Sequence, residues 1–151
     1  MEMKFIADSM LGKLAKWLRV LGYDTIYRTC YRPHAIDMFV NEGRILISRQ
    51  RELAEKYGNS IILNENKTVK QMSELRQAIE LAPEQSKWFC RCLVCNSLLQ
   101  DADENDALGN VPDYVFHQNI KGIRLCPSCG RYYWPGSHKT RMIKQLQNWG
   151  F

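Results

Sequence analysis

KFIADSMLGKLAKWLRVLGYD, residues 4–24, decides how the first half of the chain is read. Lys4-Phe5-Ile6-Ala7 is a short apolar run that stops at Asp8, as a buried strand does. Ser9 can cap a helix that continues to about Leu21. Leu11, Leu14, Ala15, Leu18 and Leu21 recur at helical spacing and make its apolar face, and Gly22 ends it. Lys13, Lys16 and Arg19 are three residues apart and form a basic stripe on another face. A strand followed by an amphipathic helix is the unit of an α/β fold.

The same alternation continues downstream. Asp24 to Tyr27 reads as a strand, and Pro33 can open a helix through Val40 that Gly43 stops. Arg44 to Ser48 has the character of a buried strand. Arg51 to Tyr57 is a short helix ended by Gly58, and Ser60 to Leu63 is a further strand. Thr68 with Gln71 forms a capping box for a helix to about Leu81, with Val69, Met72, Leu75 and Ile79 as its apolar positions. Such alternation predicts a mostly parallel sheet flanked by helices, with ligands bound beyond the carboxyl ends of the strands. Asp8 and Ser48-Arg49-Gln50 fall at such ends.

Leu81 to Ser86 marks a boundary, dividing the chain into residues 1–82 and 87–151. Beyond it lie turns, short strands and an acidic loop from Asp101 to Asp106. A last helix begins near Ser137, with Met142, Ile143, Leu146 and Trp149 available to pack inward. The decisive pattern is Cys92-Leu-Val-Cys95, then thirty residues, then Cys126-Pro-Ser-Cys129-Gly130. Two C-x-x-C turns offer four thiolates to one tetrahedral Zn²⁺, in a closed structural site with no position left for water. Gly130 supplies the positive φ that such a turn needs. Cys90 is a spare thiol or an alternative ligand, and a redox C-x-x-C would need only one of the two pairs. With no secretory pattern at the N-terminus, metal is favoured over disulfides and a cytoplasmic location is expected.

The chain has 151 residues and a formal net charge of +5, and no apolar run is long enough for a membrane helix. From Tyr114 to Phe151 there is no Asp or Glu, while Lys121, Arg124, Arg131, Lys139, Arg141 and Lys144 are interleaved with Tyr132, Tyr133 and Trp134. That mixture suits phosphate neutralisation and base stacking, or a solvated basic face with its aromatics turned inward. Carboxylates that could gather around a hard cation are Asp8, Asp24, Asp37 and Glu42; spacing alone does not bring them together. His138 could meet phosphate or pack structurally.

Three stretches resemble one family. Asp8 to Asp24 resembles the opening of the Mut-seven C-terminal ribonuclease domain family. Glu42 to Gln50 resembles its central strand, and Arg91 to Asn96 with Cys126 to His138 resembles its zinc-ribbon signature. The resemblance implies a PIN-like α/β nuclease domain with an appended zinc-ribbon module, and RNA cleavage assisted by Mg²⁺ or Mn²⁺. It makes Asp8 the first metal-binding carboxylate and Asp37 the acid on the helix before the central strand; Asp24 matches an acid of the opening motif. The family's central strand usually ends Thr-Arg-Asp, whereas here it reads Ser48-Arg49-Gln50. A neutral amide is a weaker ligand for a hard cation. Asp8, Asp37 and Gln50 are therefore the expected catalytic positions. Lys13, Lys16, Arg19, Arg49, Arg131, His138 and Arg141 are the expected RNA contacts. A non-catalytic RNA-binding zinc-ribbon protein is the alternative that Gln50 raises.

Overall fold

A computed structural model describes residues 2–151. The chain forms two compact units, Met1–Asn96 and Ser97–Phe151.

The first unit is built on four parallel strands: β1 (Lys4–Ala7), β2 (Asp24–Tyr27), β3 (Ile45–Ser48) and β4 (Ser60–Ile62). Their order is β2-β1-β3-β4, with Ala7 opposite Tyr27 on one side and Ile47 on the other. The chain passes from β1 to β2 on one side, then crosses back to lay β3 on the other. The gap beyond the carboxyl ends of β1 and β3 is thus the topological switch point of the sheet.

Helix α1 (Gly12–Val20) packs on β2 and on α4 (Thr68–Ala78), while α2 (Ala35–Asn41) lies against β1 and α3 (Arg51–Glu55) against β3 and β4. Phe5, Ile6, Leu14, Leu18, Leu46, Ile47 and Leu75 are fully buried. Each such side chain contributes about 1.5–3 kcal/mol by leaving water. The expected apolar face of α1 is the face the structure buries. Gly22 ends that helix with φ +98°, and a Cβ there would lie 2.7 Å from the Lys87 carbonyl, so both its backbone angle and a close approach require glycine.

Several helix starts differ from expectation. Ser9 does not cap α1, which begins at Gly12 after Leu11. Thr68 is already helical, and Gln71 donates back to the Glu65 carbonyl at 2.9 Å instead of closing a capping box. Val69 is exposed, because α4 turns Met72 and Leu75 to the core. At Gln71 the loop carbonyl of Glu65 outcompetes the local capping pattern.

The second unit has an antiparallel sheet of β5 (Gln100–Asp101), β6 (Arg124–Leu125) and β7 (Tyr132–Tyr133), in that order. The expected acidic loop includes a short helix, α5 (Glu104–Ala107), because Asp103 accepts from the Asn105 N–H at 2.8 Å and caps it. Helix α6 (Asp113–Asn119) follows. Ala107, Val111, Val115 and Ile123 form a small core, against which Phe116, Tyr132 and Trp134 pack. The last helix, α7 (Ser137–Asn148), buries Met142 and Leu146.

Candidate functional site

Asp8 stands one residue beyond β1 and is 1% exposed. A carboxylate so buried needs hydrogen-bond donors, and it has three. Its Oδ1 accepts from the Met10 N–H at 2.8 Å. Its Oδ2 accepts from the Ser48 hydroxyl at 2.5 Å and from the Arg49 N–H at 2.8 Å. Ser48 is the last residue of β3, so the two strand ends at the switch point meet through these bonds. The Gln50 N–H in turn donates to Ser48 Oγ at 2.9 Å. The Ser48 proton has a second acceptor, the Gln50 carbonyl at 3.4 Å.

Asp8, Ser48, Arg49 and Gln50 are thus brought together. Gln50 precedes α3 with an exposed side chain. The Arg49 guanidinium donates to Asn66 Oδ1, and its Nε is buried without a partner.

Asp37 has other company. Its carboxylate accepts from the Tyr57 hydroxyl and pairs with His34 Nδ1 at 3.3 Å. The Tyr57 hydrogen bond, helped by His34, holds the Asp37 carboxyl below its usual range. The same bond pushes Tyr57 up to about 12. His34 itself sits at φ +65°, in the left-handed region, where the chain enters α2.

Asp24 does not join Asp8. It begins β2, at the amino end of the parallel sheet, where Arg44 donates to its Oδ1 at 2.8 Å and Asn96 at 2.6 Å. Burial works to raise the Asp24 carboxyl; hydrogen bonds from Arg44 and Asn96, with the Arg44 charge, outweigh it and hold the group below its usual range. Glu42 is an exposed partner of Arg44 at 3.4 Å. Asp24 thus ties the start of β2 to Arg44 and Asn96.

Arg19, expected in the basic stripe, is also a structural group. It is 5% exposed and donates to the carbonyls of Thr25 at 3.0 Å, Leu93 at 2.9 Å and Val94 at 3.3 Å. Lys13 and Lys16 remain exposed, as do Arg131, His138 and Arg141. Tyr132 and Trp134, candidates for base stacking, are half-buried against the small core of the second unit.

Cys92, Cys95, Cys126 and Cys129 place their four sulfurs within 4.8 Å of one another. Four soft thiolate donors at that spacing fit one tetrahedral Zn²⁺. The Cys95 N–H points at Cys92 Sγ, 3.3 Å away, and such backbone donors offset thiolate charge. Each turn is closed by its own backbone hydrogen bond. Asn96 N–H reaches the Cys92 carbonyl at 2.9 Å, and Gly130 N–H reaches the Cys126 carbonyl at 2.9 Å. Both closing residues have positive φ, 69° and 76°. Cys90 is half-buried and stands outside the cluster. Among the described residues, no group of three or more acids and histidines gathers in the same way.

Tyr27, Tyr31, Arg44, Tyr57 and Asn96 are polar groups of the site and its surroundings that no sequence motif marks. Asn96 does carry a local signal, since it occupies in the first cysteine turn the place that Gly130 holds in the second. The others act through contacts distant in sequence and leave no local pattern.

No helix among the described residues is long and apolar enough to cross a membrane. No curated protein matches the chain. The Mut7-C RNAse domain model matches residues 3–146, nearly all of it, with both cysteine pairs and the Asp8 and Ser48 strand ends inside the match. The chain belongs to the Mut7-C RNAse domain family, a family whose description makes RNA the implied substrate class.

Proposed function

We propose that this chain is a metal-dependent ribonuclease centred on Asp8, of the PIN-like type, with a structural zinc ribbon. The observation that carries the reading is the buried Asp8 carboxylate at the switch point of the sheet, held by Met10, Ser48 and Arg49. A carboxylate offers about four acceptor sites, so these three bonds leave about one for a cation. The Ser48 hydroxyl can turn to the Gln50 carbonyl and release a second. Mg²⁺ commonly binds through one or two carboxylates together with substrate phosphates and water, so this donor set fits.

Asp8 would hold such an ion, with Ser48 and Gln50 lining the site, and Asp37 would join it on exchanging its Tyr57 or His34 contact for the cation. The ion supplies water activation and charge neutralisation at the phosphoryl group. The chain's own groups supply position. Met10 and Arg49 N–H fix the Asp8 carboxylate, and the Asn66 contact steadies the Arg49 side chain for a phosphate. Lys13, Lys16, Arg131 and Arg141 neutralise phosphates of the RNA backbone, and His138 contacts a phosphate by hydrogen bonding. The test is cleavage of single-stranded and structured RNA with Mg²⁺ or Mn²⁺, beside Asp8→Asn. Cleavage by the wild type and its loss in the variant are expected; equal activity in both, or none in either, contradicts the catalytic reading.

Gln50 favours a second reading, an RNA-binding protein that does not cut. It predicts salt-sensitive RNA binding without turnover. Gln50→Asp separates a decayed catalytic site from a pure binding surface: cleavage gained by the variant identifies the former, and continued inactivity the latter.

A further inference from the structure

The peptide chain carrying Asp8 is gripped on both sides by tyrosine hydroxyls that no step described above uses. Tyr31 donates to the Ala7 carbonyl, one residue before Asp8, at 2.5 Å. Tyr27 donates to the Ser9 carbonyl, one residue after it, at 3.0 Å. Tyr27 ends β2, and its hydroxyl reaches over the start of α1 because Gly12 leaves room. A Cβ on Gly12 would lie 2.9 Å from that hydroxyl. Burial pushes Tyr31 up to about 12, so its hydroxyl keeps its proton and remains a donor throughout the neutral range.

The two bonds matter because they act on backbone. The Asp8 carboxylate is oriented by the Met10 and Arg49 N–H groups and by Ser48, and Met10 lies on the same turn the tyrosines hold. The Asp8 N–H on the Ile47 carbonyl at 3.0 Å and the Leu11 N–H on the Asp8 carbonyl at 3.1 Å anchor this backbone to β3 and to the start of α1. The tyrosine bonds restrict the tilt that these two anchors leave to the Ala7 and Ser9 carbonyls and, with them, to the Met10 N–H. Ligand geometry around a hard small cation tolerates little such movement.

We infer that Tyr27 and Tyr31 are positioning residues, whose hydroxyls clamp the backbone on either side of Asp8 and so fix its carboxylate for a divalent cation. The inference rests on the reading of Asp8 as a metal-binding carboxylate. Neither tyrosine touches the reacting atoms. Their influence passes through the Ala7–Ser9 backbone, and Gly12 keeps the Tyr27 half of the clamp closed.

The experiment uses the full zinc-loaded chain and compares wild type with Tyr27→Phe, Tyr31→Phe, Gly12→Ala and Asp8→Asn. Tyr114→Phe, at an exposed tyrosine of the second unit, is the control. Phenylalanine keeps the ring and removes only the donor. Two quantities are read: Mn²⁺ affinity by electron paramagnetic resonance, and amide hydrogen exchange of Met10 and Arg49 without manganese. Both Tyr→Phe variants and Gly12→Ala are expected to speed exchange at Met10. They should also weaken Mn²⁺ binding about 10-fold, the order seen when outer partners of metal ligands are removed. Tyr114→Phe should change neither. A merely structural role would lower the melting temperature of the Phe variants and leave Mn²⁺ affinity of the folded protein unmoved, which overturns the inference. Unchanged exchange at Met10 overturns it as well. Faster exchange in the variants, together with manganese binding that is indifferent to Asp8→Asn, supports the backbone clamp and overturns the metal reading beneath it.

Discussion

Asn96 donates to Asp24 at 2.6 Å, and this bond fastens the turn that carries Cys92 and Cys95 to the first residue of β2. The Asn96 side chain works twice, since its Oδ1 also accepts from the Thr25 N–H at 2.9 Å. Its backbone closes the cysteine turn at φ 69°. One residue therefore shapes a metal-binding turn and docks it on the parallel sheet. Asn96→Gly keeps the backbone freedom and loses both side-chain bonds, leaving a buried Thr25 donor unpaired, for about 1–3 kcal/mol. Asn96→Ala loses the same bonds and adds the cost of a left-handed residue, about 1 kcal/mol more. Denaturant unfolding of the zinc-loaded variants should give that order, wild type above Gly above Ala.

The Asp24 carboxyl is lowered in the folded protein, so its ion pair stabilises the fold above the ordinary carboxylate range. That stability is lost as pH falls from the unfolded-state value toward the lower folded one. Asp24→Asn should flatten the acid limb of the stability curve, measured as unfolding free energy between neutral pH and the onset of acid unfolding. An acid limb identical to that of the wild type would show that Asp24 does not drive it.

Removing the metal should have a large effect. Structural zinc contributes on the order of 10–16 kcal/mol in small zinc modules. One zinc per chain is expected by native mass spectrometry, and Cys126→Ser should reduce that stoichiometry sharply. A chelator should lower the melting temperature of the wild type, with recovery on adding Zn²⁺ back.

Arginine and lysine on α1 divide into two classes. Lys13→Ala and Lys16→Ala should each weaken RNA binding and reduce the slope of log affinity against log salt by about 1 if each meets one phosphate. Arg19→Ala should instead destabilise the fold, because it abandons the Thr25, Leu93 and Val94 carbonyls and the packing of a buried side chain. Salt-dependent binding and thermal melts on the three variants separate these outcomes.

The hydrogen bond between Tyr57 and Asp37 lowers the pKa of the Asp37 carboxyl and raises that of the Tyr57 hydroxyl. With the hydroxyl donor removed in Tyr57→Phe, the Asp37 carboxyl should move up toward its ordinary range, because the hydrogen bond from Tyr57 is the chief cause of its lowering. Carbon-detected NMR titration of the Asp37 carboxyl reads this directly.

The α/β order and the cysteine site were legible because each rests on a strong local pattern. The apolar spacing from Leu11 to Leu21 picks out the face that α1 buries, and the paired C-x-x-C turns name the four sulfurs that meet. Asp8 was legible as a strand-end acid, and its meeting with Ser48 follows from two adjacent parallel strands. What stayed hidden was long-range or competitive. Nothing near Arg19 in sequence announces that carbonyls at Leu93 and Val94 will take its donors. Asp24 looks like any other acid of the opening segment until Arg44 and Asn96 close on it. Ser9 and Thr68 carry good capping chemistry, yet α1 starts later and α4 earlier than that chemistry suggests.

A ribonuclease centred on Asp8 requires a divalent cation at that carboxylate. Anomalous diffraction from crystals of the zinc-loaded protein soaked in Mn²⁺ tests this most directly. The prediction is a manganese peak on the Asp8 carboxylate, absent from Asp8→Asn crystals treated alike. Manganese found elsewhere with the Asp8 position empty, or a peak that survives the substitution, would contradict it.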